Sequence, residues 1–316
     1  MILLVTNQRD LTTDYIVLEL QRRRLEYFRL NTELLPESRI TLGALSSEDW
    51  SISFGGKCLT GHDVEAAYFR RPGKPLVAES IEDQGSRNYI ESEWNALLKS
   101  LYMRLEGRWL NSPTKIVLAE DKPRQLLIAA DLGFDIPQSA VTNDLTVAQR
   151  IAAHHTAIGK PLRQALLEGD QERVIFTTRL PTLTAVDEKA LAMAPIIVQQ
   201  EIQKQTDVRV TVVGQKVFAV AIHSQEQQET KVDWRSGAQP DLKHEVISLP
   251  GQLEERCIRL VELLGLNYGA IDLIQDLDNH YWFLEINPNG QWAWIENRTG
   301  LPIASAIVDG LQGVYQ

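Results

Sequence analysis

Gly269-Ala270-Ile271-Asp272-Leu273-Ile274 and, beyond a polar turn, Phe283-Leu284-Glu285-Ile286-Asn287-Pro288-Asn289-Gly290 form the stretch on which the fold turns. Tyr268 to Ile274 and Tyr281 to Ile286 are apolar enough to be strands, and Asp276, Asp278 and Asn279 mark the turn between them. Side chains two apart on a strand share a face, so Glu285 and Asn287 project together, and an antiparallel partner brings Asp272 beside them. Two carboxylates and an amide oxygen make a hard, all-oxygen donor set, which magnesium prefers and shares with substrate phosphates. Two solvated acids on a sheet face would be the plainer reading, but unpaired charge inside apolar strands is costly. Asp272, Glu285 and Asn287 are therefore read as metal ligands.

A phosphate held by such a metal needs cations. Lys122 stands near the start of a helix, and Lys160 sits among small and apolar residues in Ile158-Gly159-Lys160-Pro161. Arg209 lies on a strand two residues after Asp207, so the two can share a face. Arginine suits a developing phosphoryl charge. Arg70-Arg71-Pro72 closes another strand, Val64 to Phe69, at the kind of strand end where α/β sheets bind ligands.

Outward from these points the pattern is that of an α/β chain. A buried strand over Ile2 to Thr6, a helix over Thr13 to Arg24 and a strand over Glu26 to Leu30 open it. Ile90, Trp94, Leu97, Leu98, Leu101 and Leu105 predict an amphipathic helix from Ser86 to Glu106 with one stripe on a core. Trp109 to Pro113 reads as a linker, Ala119 to Asp131 and Thr146 to His155 as helices, and Val174 to Thr178 as a β-type run. Val208 to Val213 and Val217 to Ile222 predict a hairpin about Gly214-Gln215, and helices are expected over Leu253 to Leu264 and Ile303 to Leu311.

With 316 residues, more than one domain is expected. A net charge of −10 argues against general nucleic-acid binding but leaves room for a local basic cleft. Cys58 and Cys257 are too few for a disulfide framework or metal cluster. The first residues lack the basic and apolar regions of a signal peptide, and no run approaches the ~20 apolar residues of a membrane span. A cytoplasmic protein with no membrane partner is expected.

The order of motifs resembles the ATP-grasp superfamily: Asp121-Lys122, Lys160-Pro161, Gln199-Gln200-Glu201-Ile202, Asp207-Val208-Arg209, Ile271-Asp272-Leu273-Ile274 and Leu284-Glu285-Ile286-Asn287-Pro288-Asn289-Gly290. Within it, Tyr68-Phe69-Arg70-Arg71, Ile175-Phe176-Thr177-Thr178, Asp233-Trp234-Arg235 and Gly265 to Asp272 resemble the graspetide synthetases, the maturases of microviridin-type ribosomal peptides. The resemblance covers essentially the whole chain. It implies an ATP-grasp fold with an N-terminal α/β domain (1–115), a central subdomain (116–195) and a C-terminal subdomain carrying the metal site (196–316).

It also implies roles. ATP and two Mg2+ ions would be the cofactors. Lys122 and Lys160 would hold the α- and β-phosphates, Gln199, Gln200, Glu201 and Ile202 would meet adenine through the backbone, and Lys204 or Asp207 would lie near the ribose. Arg209 would stabilise the transferring phosphoryl group. Asp233 and Arg235 would stand by the acceptor peptide, where Arg235 could grip a carboxylate bidentately. Arg70, Arg71 and Trp234 would contact the substrate, a ribosomal precursor peptide with a leader; a homodimer is the assembly allowed for. Gln200 departs from an expected acidic residue and His223 from an expected asparagine, and Leu167 to Glu172, with the single Gly169, fits a phosphate lid only loosely. The product would be an ester or amide crosslink. The rival readings are a ligase adding a free amino acid to a peptide or protein C-terminus, and a non-catalytic nucleotide-binding regulator.

Overall fold

The computed structural model describes residues 1–163, 166, 167, 173–235 and 242–313. The chain opens with β1 (Ile2–Thr6), α1 (Leu11–Arg22) and β2 (Tyr27–Asn31), with β1 and β2 parallel. All of β1 is buried because it serves two cores at once. Ile2 and Leu4 pack with Ile16 and Leu20 of α1, while Leu3 and Val5 face the opposite cluster containing Leu98 and Leu101. Alternation along a strand makes that division unavoidable once both faces are covered.

Three short strands then form their own antiparallel sheet, in the order β3 (Arg39–Leu42), β4 (Trp50–Phe54), β5 (Lys57–Thr60). The sequence reading has no element here. Each strand has only four or five residues, too few for a period to emerge, but Gly55 and Gly56 at φ 57° and 77° are the turn signal that marks the β4–β5 hairpin. β6 (Ala66–Phe69) returns to pair parallel with β1, giving the order β2-β1-β6.

The helix α2 (Gln84–Arg104) begins where Asp83 caps Ser86 N. Its stripe is covered only at one end. Leu98, Leu101 and the following Leu105 are buried, whereas Ile90, Trp94 and Leu97 are half-covered, because the first half of the helix runs past the core it packs on. The expected linker after it is a junction instead. Trp109, Leu110 and Asn111 are buried. Asn111 Oδ1 accepts from Asn267 N (2.8 Å) and Tyr268 N (3.0 Å), and its Nδ2 donates to Tyr268 O (2.8 Å) and Pro288 O (3.0 Å).

The expected helix from 119 to 131 is α4 (Lys122–Asp131), and an unexpected short helix, α3 (Pro113–Ala119), precedes it. Asp121 breaks them, its carboxylate accepting from Arg124 N at 3.1 Å, and makes Lys122 the first residue of α4. There follow β7 (Ser139–Thr142), α5 (Leu145–Ala152), β8 (Ala157–Lys160), β9 (Leu166–Leu167), β10 (Arg173–Val174), β11 (Thr178–Arg179), α6 (Glu188–Ala192) and β12 (Ile196–Gln200). β9 and β10 pair with each other, and the others form a four-stranded antiparallel sheet in the order β11-β8-β12-β7. The stretch 168–172, the core of the expected phosphate lid, lies outside the described residues.

The last sheet is β13 (Lys204–Val213), β14 (Lys216–Ile222), β15 (His244–Ile247), β16 (Tyr268–Asp276) and β17 (Tyr281–Asn287), antiparallel in the order β15-β14-β13-β16-β17. The helix α7 (Gly251–Leu263) covers one face, with Leu253, Cys257, Leu260 and Val261 packed against Val208, Val210 and Ile271. On the other face α8 (Ala293–Thr299) and α9 (Ile303–Leu311) join it to β1 and α1 in one core. A boundary at 195/196 would cut β12 from its own sheet, so we propose that the central unit ends at the crossing 201–203.

Asn111 satisfies four backbone groups with one side chain, and its loss leaves three of them, at Tyr268 N, Tyr268 O and Pro288 O, buried without this partner. Asn111→Ala is expected to lower the unfolding free energy by about 3 kcal/mol, measured as a shift of the urea midpoint at constant slope.

Candidate active site

The cleft between the four-stranded and five-stranded sheets has a volume of about 750 Å³. Its floor is the β16–β17 ladder. Asp272 pairs directly with Glu285 and Ala270 with Asn287, so the three proposed ligands lie on one face, and all three line the cleft. The register shifts between Asp272 and Leu273, leaving Leu284 as an extra residue on β17. Such a bulge re-aims neighbouring side chains, and Leu284 lines the cleft together with Glu285.

Each acid meets a cation. Arg209 Nη1 donates to Asp272 Oδ1 at 2.8 Å; Lys122 Nζ lies 3.0 Å and Arg235 Nη1 3.8 Å from the Glu285 carboxylate. Burial would push both carboxyls up. For Asp272 burial prevails over Arg209, and the group sits above the usual range. For Glu285 the charges of Lys122, Arg235 and Lys160 overcome burial and hold it at about 2. Cation and anion sites are therefore interleaved, as a metal and a polyphosphate sharing one cleft would require.

Lys160, at the end of β8, comes from the opposite sheet. Burial pulls its ammonium down to about 8, with Glu285 opposing the shift. It donates to Gln199 Oε1 at 2.6 Å, and Gln199 Nε2 donates in turn to Ser139 Oγ at 2.8 Å. The Gln199 side chain is thus occupied in orienting Lys160. The Glu201 carboxylate is likewise occupied, taking Arg179 Nε at 2.7 Å and Nη2 at 2.7 Å. In this segment Gln200 and Ile202 also line the cleft, and the backbone N–H groups of Gln200 and Glu201 donate to Gln138 O and Thr156 O. Ile158, Ile202, Ile274 and Leu284 supply apolar wall around it.

Lys204 and Asp207, expected as alternatives, are one buried ion pair at 2.7 Å, completed by Ser224 Oγ donating to Asp207; both line the cleft. Asp233 accepts from Arg235 Nε (2.9 Å) and Nη2 (3.0 Å). Burial would raise its carboxyl, but Arg235 brings it below the usual value. Trp234 packs on Trp294 with ring centroids 5.2 Å apart. Residues 224–230 form two 3-10 turns pinned by buried Ser224 and Thr230, with Thr230 Oγ1 donating to Ser224 O at 2.6 Å.

Two arginines are placed differently from expectation. Arg70 is not a cationic edge for substrate. It is 1% exposed, donates Nη1 to the carbonyls of Asn289 and Gly290, and lies 3.4 Å from Asp10. The chain end of this parallel strand points toward the 288–290 loop, which Nη1 of the first arginine holds while its Nε and Nη2 have no hydrogen-bond partner among the described residues; Arg71 is the one that reaches the cleft wall. Arg209 stands behind Asp272 rather than on the wall, buried, with its guanidinium 5.9 Å over the Trp234 ring. Its Nε has no hydrogen-bond partner among the described residues, and a buried unpaired donor suits a site built for an anion.

Sequence reasoning missed Glu120, Gln125, Arg163 and Lys231, all on the cleft wall. Glu120 is one of the two residues between α3 and α4, and Gln125 is on the inner face of α4; only the helix phase from Lys122 could have found Gln125. Among the described residues no three or more His, Cys, Asp and Glu side chains converge, so a metal here rests on two carboxylates and the Asn287 amide. That set, with the cations around it, fits magnesium carrying a nucleotide polyphosphate.

Residues 119–311 match a family model described as the RimK-like ATP-grasp domain. The chain is 25% identical over 249 residues to a probable alpha-L-glutamate ligase of Haemophilus influenzae (strain PittEE), covering 73% of this chain and 81% of the relative. Among solved structures it is similar to the macrocyclase MdnC of Microcystis aeruginosa MRC bound with precursor peptide MdnA. The TM-score is 0.85 at 28% identity, covering 99% of this chain and 100% of that one. It is also similar to a Chryseobacterium gregarium RiPP-associated ATP-grasp ligase in complex with ADP and a leader and core peptide, with a TM-score of 0.88, 26% identity, and 99% and 96% coverage.

A lysine titrating at about 8 is charged below that pH and neutral above it, and an anion binds the charged form. Affinity for ADP is therefore expected to fall as pH rises through about 8, and the fall is expected to vanish in Lys160→Met. Calorimetric titration across that range checks both.

Proposed function

The chain belongs to the RimK-like ATP-grasp family and is an ATP-grasp ligase, and from that premise we propose that it forms intramolecular ester or amide crosslinks in a ribosomal precursor peptide. One observation carries the choice of substrate. The likeness to the precursor-peptide macrocyclase covers 99% of this chain at a TM-score of 0.85, whereas the sequence match to the glutamate ligase covers 73% of it.

In this reading Asp272, Glu285 and Asn287 would hold magnesium, which would supply charge neutralisation for the phosphates. Lys122 from α4 and Lys160 from β8 grip the polyphosphate from opposite sides of the cleft. The base lies in the apolar slot of Ile158, Ile202, Ile274 and Leu284, against the segment 200–202. Lys204 and Asp207 line the cleft beside the base slot, toward the ribose. Arg71 and Arg235 face the acceptor, and two guanidinium groups suit an acidic side chain of a peptide.

A peptide carboxylate oxygen attacks the γ-phosphorus, the bond to the β-phosphate oxygen breaks, and ADP leaves. A Ser or Thr hydroxyl, or a Lys amine, then attacks the acyl carbon. Phosphate departs with the C–O bond pair, and the nucleophile's proton passes to phosphate or solvent. Arg235 neutralises charge developing on the transferring group, with Arg209 behind it. Alignment and charge neutralisation are the terms the enzyme must supply.

Incubation with ATP, Mg2+ and a precursor peptide containing Thr or Ser and Asp or Glu is expected to release ADP and phosphate and to remove one water per bond from the peptide. Glu285→Ala and Asn287→Ala are expected to abolish this without unfolding. Arg71→Ala is expected to raise the peptide KM by ~10-fold at nearly constant ATP KM. Full-length precursor is expected to bind more tightly than its core alone, because remote contacts offset the entropy of aligning a flexible core. A mass gain from free glutamate at the C-terminus, in place of water loss, would move the chain to the glutamate-ligase reading.

A further inference from the structure

β17 is the last strand of its sheet: one edge pairs with β16 and the other faces α4. An edge strand leaves alternate peptide groups without ladder partners, and burying them unpaired is costly. At Ile286 both groups are met by one side chain. Ile286 N donates to Gln125 Oε1 at 3.0 Å, and Gln125 Nε2 donates to Ile286 O at 2.8 Å. The same nitrogen donates to Ala119 O, the end of α3, at 2.6 Å. The Gln125 amide, 2% exposed, occupies the place a neighbouring strand's peptide would take.

Ile286 lies between Glu285 and Asn287, so the peptide planes on its two sides help set where both side chains point. The strand needs a hold at this place, because the bulge at Leu284 interrupts the ladder to β16 immediately before Glu285. Gln125 also stands three residues after Lys122, one helical turn away on the same side of α4. The contact that holds the strand therefore also fixes the distance from the Lys122 ammonium to Glu285.

We propose that Gln125 is a positioning residue: its amide clamps the peptide at Ile286 and thereby aims Glu285 and Asn287 at a shared magnesium ion. The proposal rests on the nucleotide-and-metal reading of the cleft. Without the clamp the strand end can twist, the two ligands no longer converge, and metal-assisted nucleotide binding weakens. Lys160, Ile158 and Ile202 belong to other elements and are untouched, so metal-free binding of nucleotide remains.

The test is calorimetric binding of ADP with Mn2+ or with a chelator, alongside electron paramagnetic resonance of bound Mn2+. It compares wild type, Gln125→Met, which keeps the volume and loses the amide, and Gln125→Asn, which keeps the amide on a shorter stem. Wild type is expected to bind ADP more tightly with Mn2+. Gln125→Met is expected to weaken Mn2+-dependent binding by ~10–100-fold, the usual scale for removing an outer support of metal ligands, with metal-free binding within ~2-fold. Gln125→Asn is expected to fall between the two. Unchanged Mn2+-dependent binding in folded Gln125→Met overturns the proposal, as does an equal loss with and without metal. Should Gln125→Met fail to fold, Gln125→Asn decides by the same criterion. Wild type gaining nothing from Mn2+ would overturn the metal reading itself.

Discussion

The pairing of Asp272 with Glu285 across one rung of a buried ladder is the constraint around which the rest is arranged. Two adjacent carboxylates out of water repel each other and resist ionisation. The fold answers with cations drawn from three separate places. Arg209 comes from the neighbouring strand β13, Lys122 from the first turn of α4, and Arg235 from the segment following the 3-10 turns. Each depends on a local device: a strand register, an N-cap at Asp121, and the Asp233–Arg235 pair. The result is asymmetric, with Asp272 pushed up and Glu285 pulled far down, so one acid is firmly ionised and the other is ready to gain from a metal's charge.

The backbone around this rung is held from outside the sheet as well as within it. Asn111 takes Pro288 O, Tyr268 OH donates to Gly290 O, Arg70 takes the carbonyls of Asn289 and Gly290, and Gln125 takes Ile286. The end of β17 and the loop that follows it are thus fixed by four side chains from different elements. A Cβ at Gly290 would come 2.5 Å from the Ala270 Cβ, so even the closeness of this loop to its neighbour strand depends on the absence of a side chain.

Strand pattern and residue chemistry were enough to recognise the floor of the cleft in the amino-acid sequence. Asp272, Glu285 and Asn287 announce themselves because charge interrupts otherwise apolar strands, and the periodicity of two settles their face. Lys122 and Lys160 are legible for the same local reasons. What local pattern cannot convey is which of two adjacent cations a distant loop will claim. Arg70 and Arg71 are chemically alike in sequence, and only the return of Asn289 and Gly290 buries the first and leaves the second. The three short strands between residues 39 and 60 escaped because none is long enough to set up a period. Gln125 escaped because a helical glutamine carries no signal until the edge it serves is known.

The tethers are unevenly shared between the two walls of the cleft. Asn111 and Arg70 bind the N-terminal sheet to the five-stranded one, and Gln125 binds α4 to it, whereas the four-stranded side adds to its chain connections the longer bonds from Lys122 Nζ to Pro161 O and from Thr177 N to Asp233 Oδ2, each 3.4 Å. The four-stranded sheet is thus the more lightly tethered wall. Arg71, Lys122 and the carboxylates would travel as one rigid jaw, and Lys160 with Gln199 as the other. A trapped polyphosphate would be the object that both jaws grip, and its departure would remove the main attraction between them.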